Sequence, residues 1–142
     1  LSFKMIKKII FDNNDVVIAS RYRKNSKTRG LDNIRKILSV GAALLFKIFF
    51  PIKNIRDYTS GFRAFKVKKI RNIYKRRKNF FSETGFSASA DILLKLYSFK
   101  KELNFQELPI NLRYDLKQGQ SKMKILKTIY LNLRLILIRK IL

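Results

Sequence analysis

Apolar positions follow helical and extended rhythms in turn along this 142-residue chain. Phe3, Ile6, Ile9 and Ile10 fall at helical spacing within 2–11, and Asp12-Asn13-Asn14 follows as a turn. Asp15 then leads a continuous apolar run, Val16 to Ala19, which has the look of a buried parallel strand ending in Ser20-Arg21-Tyr22. Residues 23–30 carry no apolar side chain and predict a basic loop. Across 32–49, Ile34, Ile37, Leu38, Leu44, Leu45 and Ile48 recur at three- and four-residue steps, the pattern of a helix that Asp32 opens and Pro51 stops.

A polar turn, 57–61, leads into a short strand, Phe62-Arg63-Ala64-Phe65. Residues 66–78 predict a basic helix with Val67, Ile70 and Ile73 or Tyr74 along its apolar edge. After a loop, 87–100 predicts a helix with Ile92, Leu93, Leu96 and Tyr97 inward. The stretch 104–114 reads as extended, and Pro109 places it near a sheet edge. A second polar glycine loop covers 116–122, before an increasingly apolar helix, 123–142, punctuated by basic residues. This alternation predicts an α/β domain.

Charge sharpens the picture. Lys and Arg number 33 against 9 Asp and Glu, a net +24 that draws polyanions: nucleic acid, an anionic membrane surface or phosphorylated small molecules. Cysteine and histidine are absent, which removes thiolate chemistry, Ser-His-Asp catalysis and His-ligated zinc. Acid–base work falls to carboxylates, Tyr or Lys. No run reaches the ~20 apolar residues that span a bilayer. Residues 1–11 hold three lysines and no small-residue cleavage site, so no secretory leader is read, and a start at Leu1 fits a fragment.

Three groups carry candidate chemistry. Asp57-Tyr-Thr-Ser60-Gly61-Phe-Arg63 packs an acid, hydroxyls, a glycine and an arginine together. It fits a carboxylate beside a reacting group, and equally a turn capped by Asp and Ser; local chemistry alone favours the turn. Arg21 sits just past a strand end, and Arg35 and Ser39 share a helix face, so two guanidinium forks and a hydroxyl fit a phosphate. Solvated basic residues are the plainer reading. Gly119-Gln-Ser121-Lys122 at a helix start fits a phosphate weakly, without P-loop spacing.

In order and spacing, these segments resemble the C-terminal half of family-2 glycosyltransferases, closest to polyprenyl-phosphate sugar synthases of the dolichol-phosphate mannosyltransferase type. The carriers are Ser20-Arg-Tyr22, Arg35-x-x-x-Ser39, Asp57-x-x-Ser-Gly-Phe-Arg63, Gly85-Phe86 with Asp91, Glu107-Leu-Pro-Ile110 and Gly119-x-Ser-Lys122. The resemblance runs from about Asp15 to Met123. It implies the C-terminal part of a GT-A, Rossmann-like glycosyltransferase domain over 1–122, with 123–142 a basic, apolar helix apposed to the membrane. It implies sugar transfer from a nucleotide-sugar to a polyprenyl or dolichyl phosphate at the cytosolic membrane face, by a protein that is cytoplasmic and peripheral to that membrane.

Residue by residue, it implies that Arg21, Arg35 and Ser39 hold the acceptor phosphate and that Asp57 is a base or sugar-orienting group. Lys117, Ser121 and Lys122 fall on the donor diphosphate side, with Ser60, Gly61, Arg63 and Asp91 supporting the motifs. A divalent metal, Mg or Mn, is implied as cofactor, yet no Asp-x-Asp ligand pair occurs. Leu116 stands where the family often has arginine, with Lys117 or Arg113 as substitutes, and Asp91 where it usually has Glu. The expected partners are a nucleotide-sugar, a lipid phosphate, an anionic membrane and a missing N-terminal half, without which the chain is expected to be inactive; nucleic acid is not expected. A basic nucleic-acid-binding module and a non-catalytic membrane-surface protein are the alternatives that the charge leaves open.

Overall fold

The computed structural model describes residues 1–76, 80, 83, 86–116 and 125–141. Five α-helices and five strands form an α/β arrangement among them: α1 (Ser2–Ile10), β1 (Val16–Ser20), β2 (Lys27–Arg29), α2 (Asn33–Phe49), β3 (Arg63–Phe65), α3 (Val67–Arg76), α4 (Phe86–Tyr97), β4 (Phe105–Pro109), β5 (Asn111–Arg113) and α5 (Ile125–Ile141). A 3-10 turn, Tyr114–Leu116, follows β5.

β1 is the centre of a mixed three-stranded sheet, β3-β1-β4. It pairs antiparallel with β3, Val17 opposite Ala64, and parallel with β4, Ile18 opposite Glu107. Both faces of β1 are covered, which is why its sequence is apolar without alternation. Val16 and Ile18 face the larger core, with Phe46, Phe50, Tyr58, Leu93, Leu96, Leu135 and Ile136. Val17 and Ala19 face a smaller one, where Met5 and Ile9 of α1 meet Leu108 and Ile110.

Two expectations are corrected, and two helix faces prove to be exposed. The basic loop over 23–30 contains β2, which pairs parallel with β5 in a separate two-stranded sheet. The extended stretch 104–114 is therefore two strands in two sheets, divided at the buried Ile110. The apolar stripe of α2 faces outward: Ile34, Ile37, Leu44, Leu45 and Ile48 are exposed, while Ala43 and Phe46 make the inward contact. Phe3, Ile6 and Ile10 of α1 are exposed as well, and Met5 is its buried residue. Periodicity marks a helix face but not what covers it.

α5 lies against α4 and α2 and adds Leu135 and Ile136 to the core. Its far end reaches the far end of α2, with Lys140 Nζ 5.0 Å from the centre of the Phe49 ring. Among the described residues, no helix is long and apolar enough to cross a membrane.

Candidate functional site

The end of β1 delivers Arg21 to a cavity of about 850 Å³ between α2 and α5. Its walls are mainly apolar, including Ile37, Leu38, Leu45 and Phe46 of α2 and Ile129, Leu133 and Ile136 of α5. Arg21, Arg35, Ser39, Thr59, Ser60 and Tyr114 supply much of its polar lining. The turn after α2 places Thr59, Ser60 and Gly61 on this wall, because Tyr58 is anchored behind it. The Tyr58 hydroxyl donates to Phe50 O at 2.7 Å, and its ring stacks on Phe46 at 5.8 Å.

Asp57 is fully buried and organises this end of the cavity. Its Oδ2 accepts from Arg21 Nε at 2.8 Å and from the Arg21 backbone N–H at 3.0 Å. Its Oδ1 accepts from Arg21 Nη2 at 2.6 Å and from the Ser60 N–H at 3.0 Å. Burial opposes ionisation of this carboxyl, but the hydrogen bonds and charge of Arg21 outweigh it and hold the pKa below the ordinary value. Burial likewise works against the Arg21 cation, and Asp57 more than reverses it. In this arrangement both oxygens of Asp57 are occupied and its proton affinity is lowered. Its geometry is that of a holder for Arg21.

Arg21 also donates from Nη2 to Thr59 Oγ1 at 2.5 Å, so its head is shared between the carboxylate and the cavity wall. Arg35 differs: it lines the cavity half-buried, with no ion pair or hydrogen bond among the described residues. Ser39 shares a 2.7 Å hydrogen bond with the Tyr22 hydroxyl. Burial raises the Tyr22 pKa against the pull of Ser39 and Arg21, keeping the phenol neutral and able to donate. The structure thus brings Arg21, Arg35 and Ser39 to one cavity. Thr59, from the Asp57–Arg63 motif, and Tyr114, which the sequence did not single out, join them on the lining, while Tyr22 of the Ser20-Arg-Tyr22 motif lies off it and holds Ser39.

Ser60 and Gly61 line the same cavity. Ser60 Oγ donates to Ala19 O at 2.6 Å, tying the turn to β1. A Cβ on Gly61 would lie 3.2 Å from Ser89 Oγ. Arg63 points behind the turn, where its guanidinium donates to Tyr58 O at 2.8 Å and to Ser89 O. Burial there pushes its pKa down to about 10, with Asp57 pulling the other way.

Asp91 does not line the cavity. It is buried on α4, 2.6 Å from Lys95 Nζ and 2.7 Å from Arg139 Nη2, and so joins α4 to α5. Lys117, Ser121 and Lys122 lie outside the described residues, as do Gly85 and Gly119.

The carboxylates near the cavity do not fit a divalent ion. Asp57 is occupied by Arg21, and Glu107 Oε1 accepts the backbone N–H groups of Arg56 and Asp57 at 2.7 and 2.6 Å. Among the described residues, no cluster of three or more His, Cys, Asp or Glu could hold a metal.

An α/β fold by itself assigns no activity, and what the cavity shows is a cationic, hydroxyl-lined end that suits an anionic ligand. Comparison of sequences narrows this. The chain is 32% identical over 127 residues to a dolichol-phosphate mannosyltransferase from Pyrococcus furiosus, a match covering 88% of this chain and 32% of that protein. This supports a glycosyltransferase-like relationship, and the chain spans about a third of the length of the curated relative it matches. No family model matches the sequence.

Proposed function

We propose that this chain forms the acceptor side of a GT-A, family-2 glycosyltransferase that places a sugar on a polyprenyl or dolichyl phosphate. One observation carries the reading: a cavity of about 850 Å³ with apolar walls has Arg21, Arg35 and Ser39 in its lining. An isoprenoid chain suits the walls and a phosphate monoester suits the guanidinium forks. Because Asp57 balances Arg21, Arg35 brings the excess positive charge that an anionic headgroup needs.

The chemistry asks little of a base. A phosphate monoester is already an anionic nucleophile. Its oxygen bonds to the anomeric carbon of the sugar while the bond from that carbon to the nucleoside diphosphate breaks, and the electron pair leaves with the diphosphate. The contribution required at the acceptor is orientation and charge, and the Arg21–Asp57 pair supplies a fixed cation for it, with Nε and Nη2 held by Asp57 and Thr59 and Nη1 left to donate. On the resemblance, Lys117, Ser121 and Lys122 serve the donor diphosphate. A divalent ion, Mg or Mn, accompanies the nucleotide-sugar in that family, with ligands other than the acids described above.

A membrane surface suits the same face. Exposed apolar side chains continue past the cavity along α2, at Ile34, Val40, Leu44 and Ile48, and along α5, at Leu126, Tyr130 and Leu137. Such stripes on two adjacent helices lie well at a headgroup boundary, where a lipid phosphate enters without leaving its bilayer. This reading makes the protein peripheral to the cytosolic membrane face.

Titration calorimetry with geranyl phosphate and geraniol tests the acceptor reading. Binding of the phosphate at least about tenfold tighter than the alcohol is expected, as charge-assisted hydrogen bonds to a headgroup require. Equal affinity for the two would overturn it.

A further inference from the structure

Glu107 of β4 is a buried acid that the acceptor reading leaves without a task. Its side chain has no exposure, and it lies on the strand opposite Ile18 of β1. A carboxylate withdrawn from water needs compensating partners. Its Oε1 accepts two successive backbone N–H groups, Arg56 at 2.7 Å and Asp57 at 2.6 Å. Its Oε2 lies 3.0 Å from Arg23 Nε, close enough for charge attraction but not aligned as a hydrogen bond. Arg23 in turn donates from Nη2 to Asn54 O at 2.5 Å. Glu107 and Arg23 together therefore grip the turn 54–57 from the far side of the cavity.

We propose that Glu107 is a positioning residue for the acceptor phosphate, acting through Asp57 on Arg21. The proposal rests on the acceptor reading given above. The geometry runs in one line. Glu107 fixes the N–H of Asp57, the Asp57 carboxylate fixes three nitrogens of Arg21, and Arg21 faces the cavity. A shift of the backbone at Asp57 moves the carboxylate and carries the guanidinium with it. Misplacing a substrate-orienting group by about 1 Å costs on the order of a hundredfold in such sites, so a second buried carboxylate behind the first has a functional consequence. Glu107 does not line the cavity of about 850 Å³; it borders a separate polar cleft with Arg23 and Asn54, so it affects a ligand in the first cavity only through this chain of contacts.

The variant Glu107→Gln keeps size and one acceptor oxygen. With that oxygen on the two N–H groups, its amide faces Arg23 donor to donor; turned over, it faces the N–H groups donor to donor. Either orientation loosens the turn. The test measures binding of geranyl phosphate and of geraniol to the full chain as wild type, Arg21→Ala, Glu107→Gln and the double variant. The expected result is a loss of about tenfold for the phosphate in Glu107→Gln, with geraniol affinity unchanged within about twofold. The double variant should bind the phosphate no more weakly than Arg21→Ala alone, because the two residues act as one unit. A residue that served only stability would weaken both ligands together.

Additive losses, or full selectivity for phosphate in Glu107→Gln where Arg21→Ala has lost it, would overturn the positioning role and leave the acceptor reading standing. If wild type itself binds the two ligands equally, the acceptor reading falls and this proposal with it. Should Glu107→Gln fail to fold, Glu107→Asp replaces it. That variant keeps the charge, withdraws the oxygens by one methylene, and is expected to lose phosphate selectivity to a smaller extent; unchanged selectivity there overturns the proposal.

Discussion

Arg21 and Asp57, 36 residues apart, form a two-pronged ion pair with Nε–Oδ2 at 2.8 Å and Nη2–Oδ1 at 2.6 Å. The arginine is the first residue after β1 and the acid lies in the turn before β3, so the pair also joins the two strand connections that shape the cavity. Replacing Asp57 with Asn keeps the shape and removes the charge. Breaking a buried pair in this way costs on the order of 3 kcal/mol. The expected outcome is a lowered urea midpoint together with loss of geranyl phosphate selectivity.

The same pair makes stability depend on acid. The Asp57 carboxyl titrates below its ordinary value when folded, because Arg21 outweighs the effect of burial. Its contribution is therefore complete above the unfolded value, about pH 4, and is lost as pH falls through the lower folded value. The stability gap between wild type and Asp57→Asn should be full at pH 7 and shrink at pH 3. A gap of the same size at both pH values would show that the ionised form of Asp57 is not what stabilises the fold.

Much of this was legible from sequence, and the rest was not for identifiable reasons. β1 stands out because both its faces are buried, which leaves an unbroken apolar run. β2 does not: Lys27-Thr28-Arg29 is polar, half-buried at most, and pairs outside the main sheet. The stripe of α2 is plain in the sequence, but whether core or solvent meets it is decided by tertiary packing. The residues Arg21, Arg35 and Ser39 could be picked out as a set, whereas the grip of Asp57 on Arg21 is a long-range contact with no local trace. Glu107 did leave a signal, an acid two residues from Phe105 and so on the same face of the strand, where a buried position demands partners.

Arg35 should behave unlike Arg21. With no partner among the described residues, its removal deprives the ligand and little else. Arg35→Ala is expected to change stability by no more than about 0.5 kcal/mol. Geranyl phosphate affinity should fall by about tenfold or more, and its salt dependence should flatten, since one charge fewer meets the headgroup. Calorimetry at two salt concentrations measures both. Unchanged affinity would place the phosphate elsewhere.

Gly30 controls how the small sheet closes on the cavity. Its φ is +73°, and a Cβ there would sit 2.4 Å from the backbone nitrogen of Asp115. Gly30→Ala therefore combines left-handed strain of about 1–2 kcal/mol with a backbone collision that no side-chain rotation relieves. The damage should be local. Amide exchange should quicken at 27–29 and 111–113, which form the β2–β5 pair, while 16–20 in β1 stays protected. Equal acceleration in both sheets would mean that they do not unfold as separate units.

Asp91 offers a contrast between structural and ligand-facing acids. It is the carboxylate shared by Lys95, itself 1% exposed, and Arg139 on α5. Asp91→Asn removes that charge from two cations, with an expected cost of about 3–5 kcal/mol. Phosphate-over-alcohol selectivity should survive under conditions where the variant remains folded, because Asp91 lies off the cavity. Adding Lys95→Met should recover part of the lost stability by removing one of the two cations that Asp91 balances. No recovery would mean that Lys95 is held chiefly by its other contacts, among them the 2.8 Å donation to Phe80 O.

On the membrane reading proposed above, attachment falls to one face of the molecule. The stripe on α2 includes Ile34, Leu44 and Ile48 at 60%, 58% and 62% exposure, none of which lines the cavity. Each such side chain gains about 1.5–3 kcal/mol when it leaves water, so a few suffice for reversible binding. The basic helix α3 is the rival surface, and it lies at the other end of the sheet. Lys66 and Lys69 reach Asn13 and Glu102 beside the start of β1 and β4, whereas the cavity opens past the end of β1. Ile34→Glu/Leu44→Glu should abolish sedimentation with vesicles of phosphatidylcholine and phosphatidylglycerol without lowering the thermal midpoint, since both positions are exposed. Lys68→Glu/Lys75→Glu on α3 should weaken the same binding only modestly, through the loss of long-range attraction that salt already screens. The reverse pattern would turn the molecule over, point the cavity away from the bilayer, and remove the route by which a membrane-bound phosphate would reach Arg21 and Arg35.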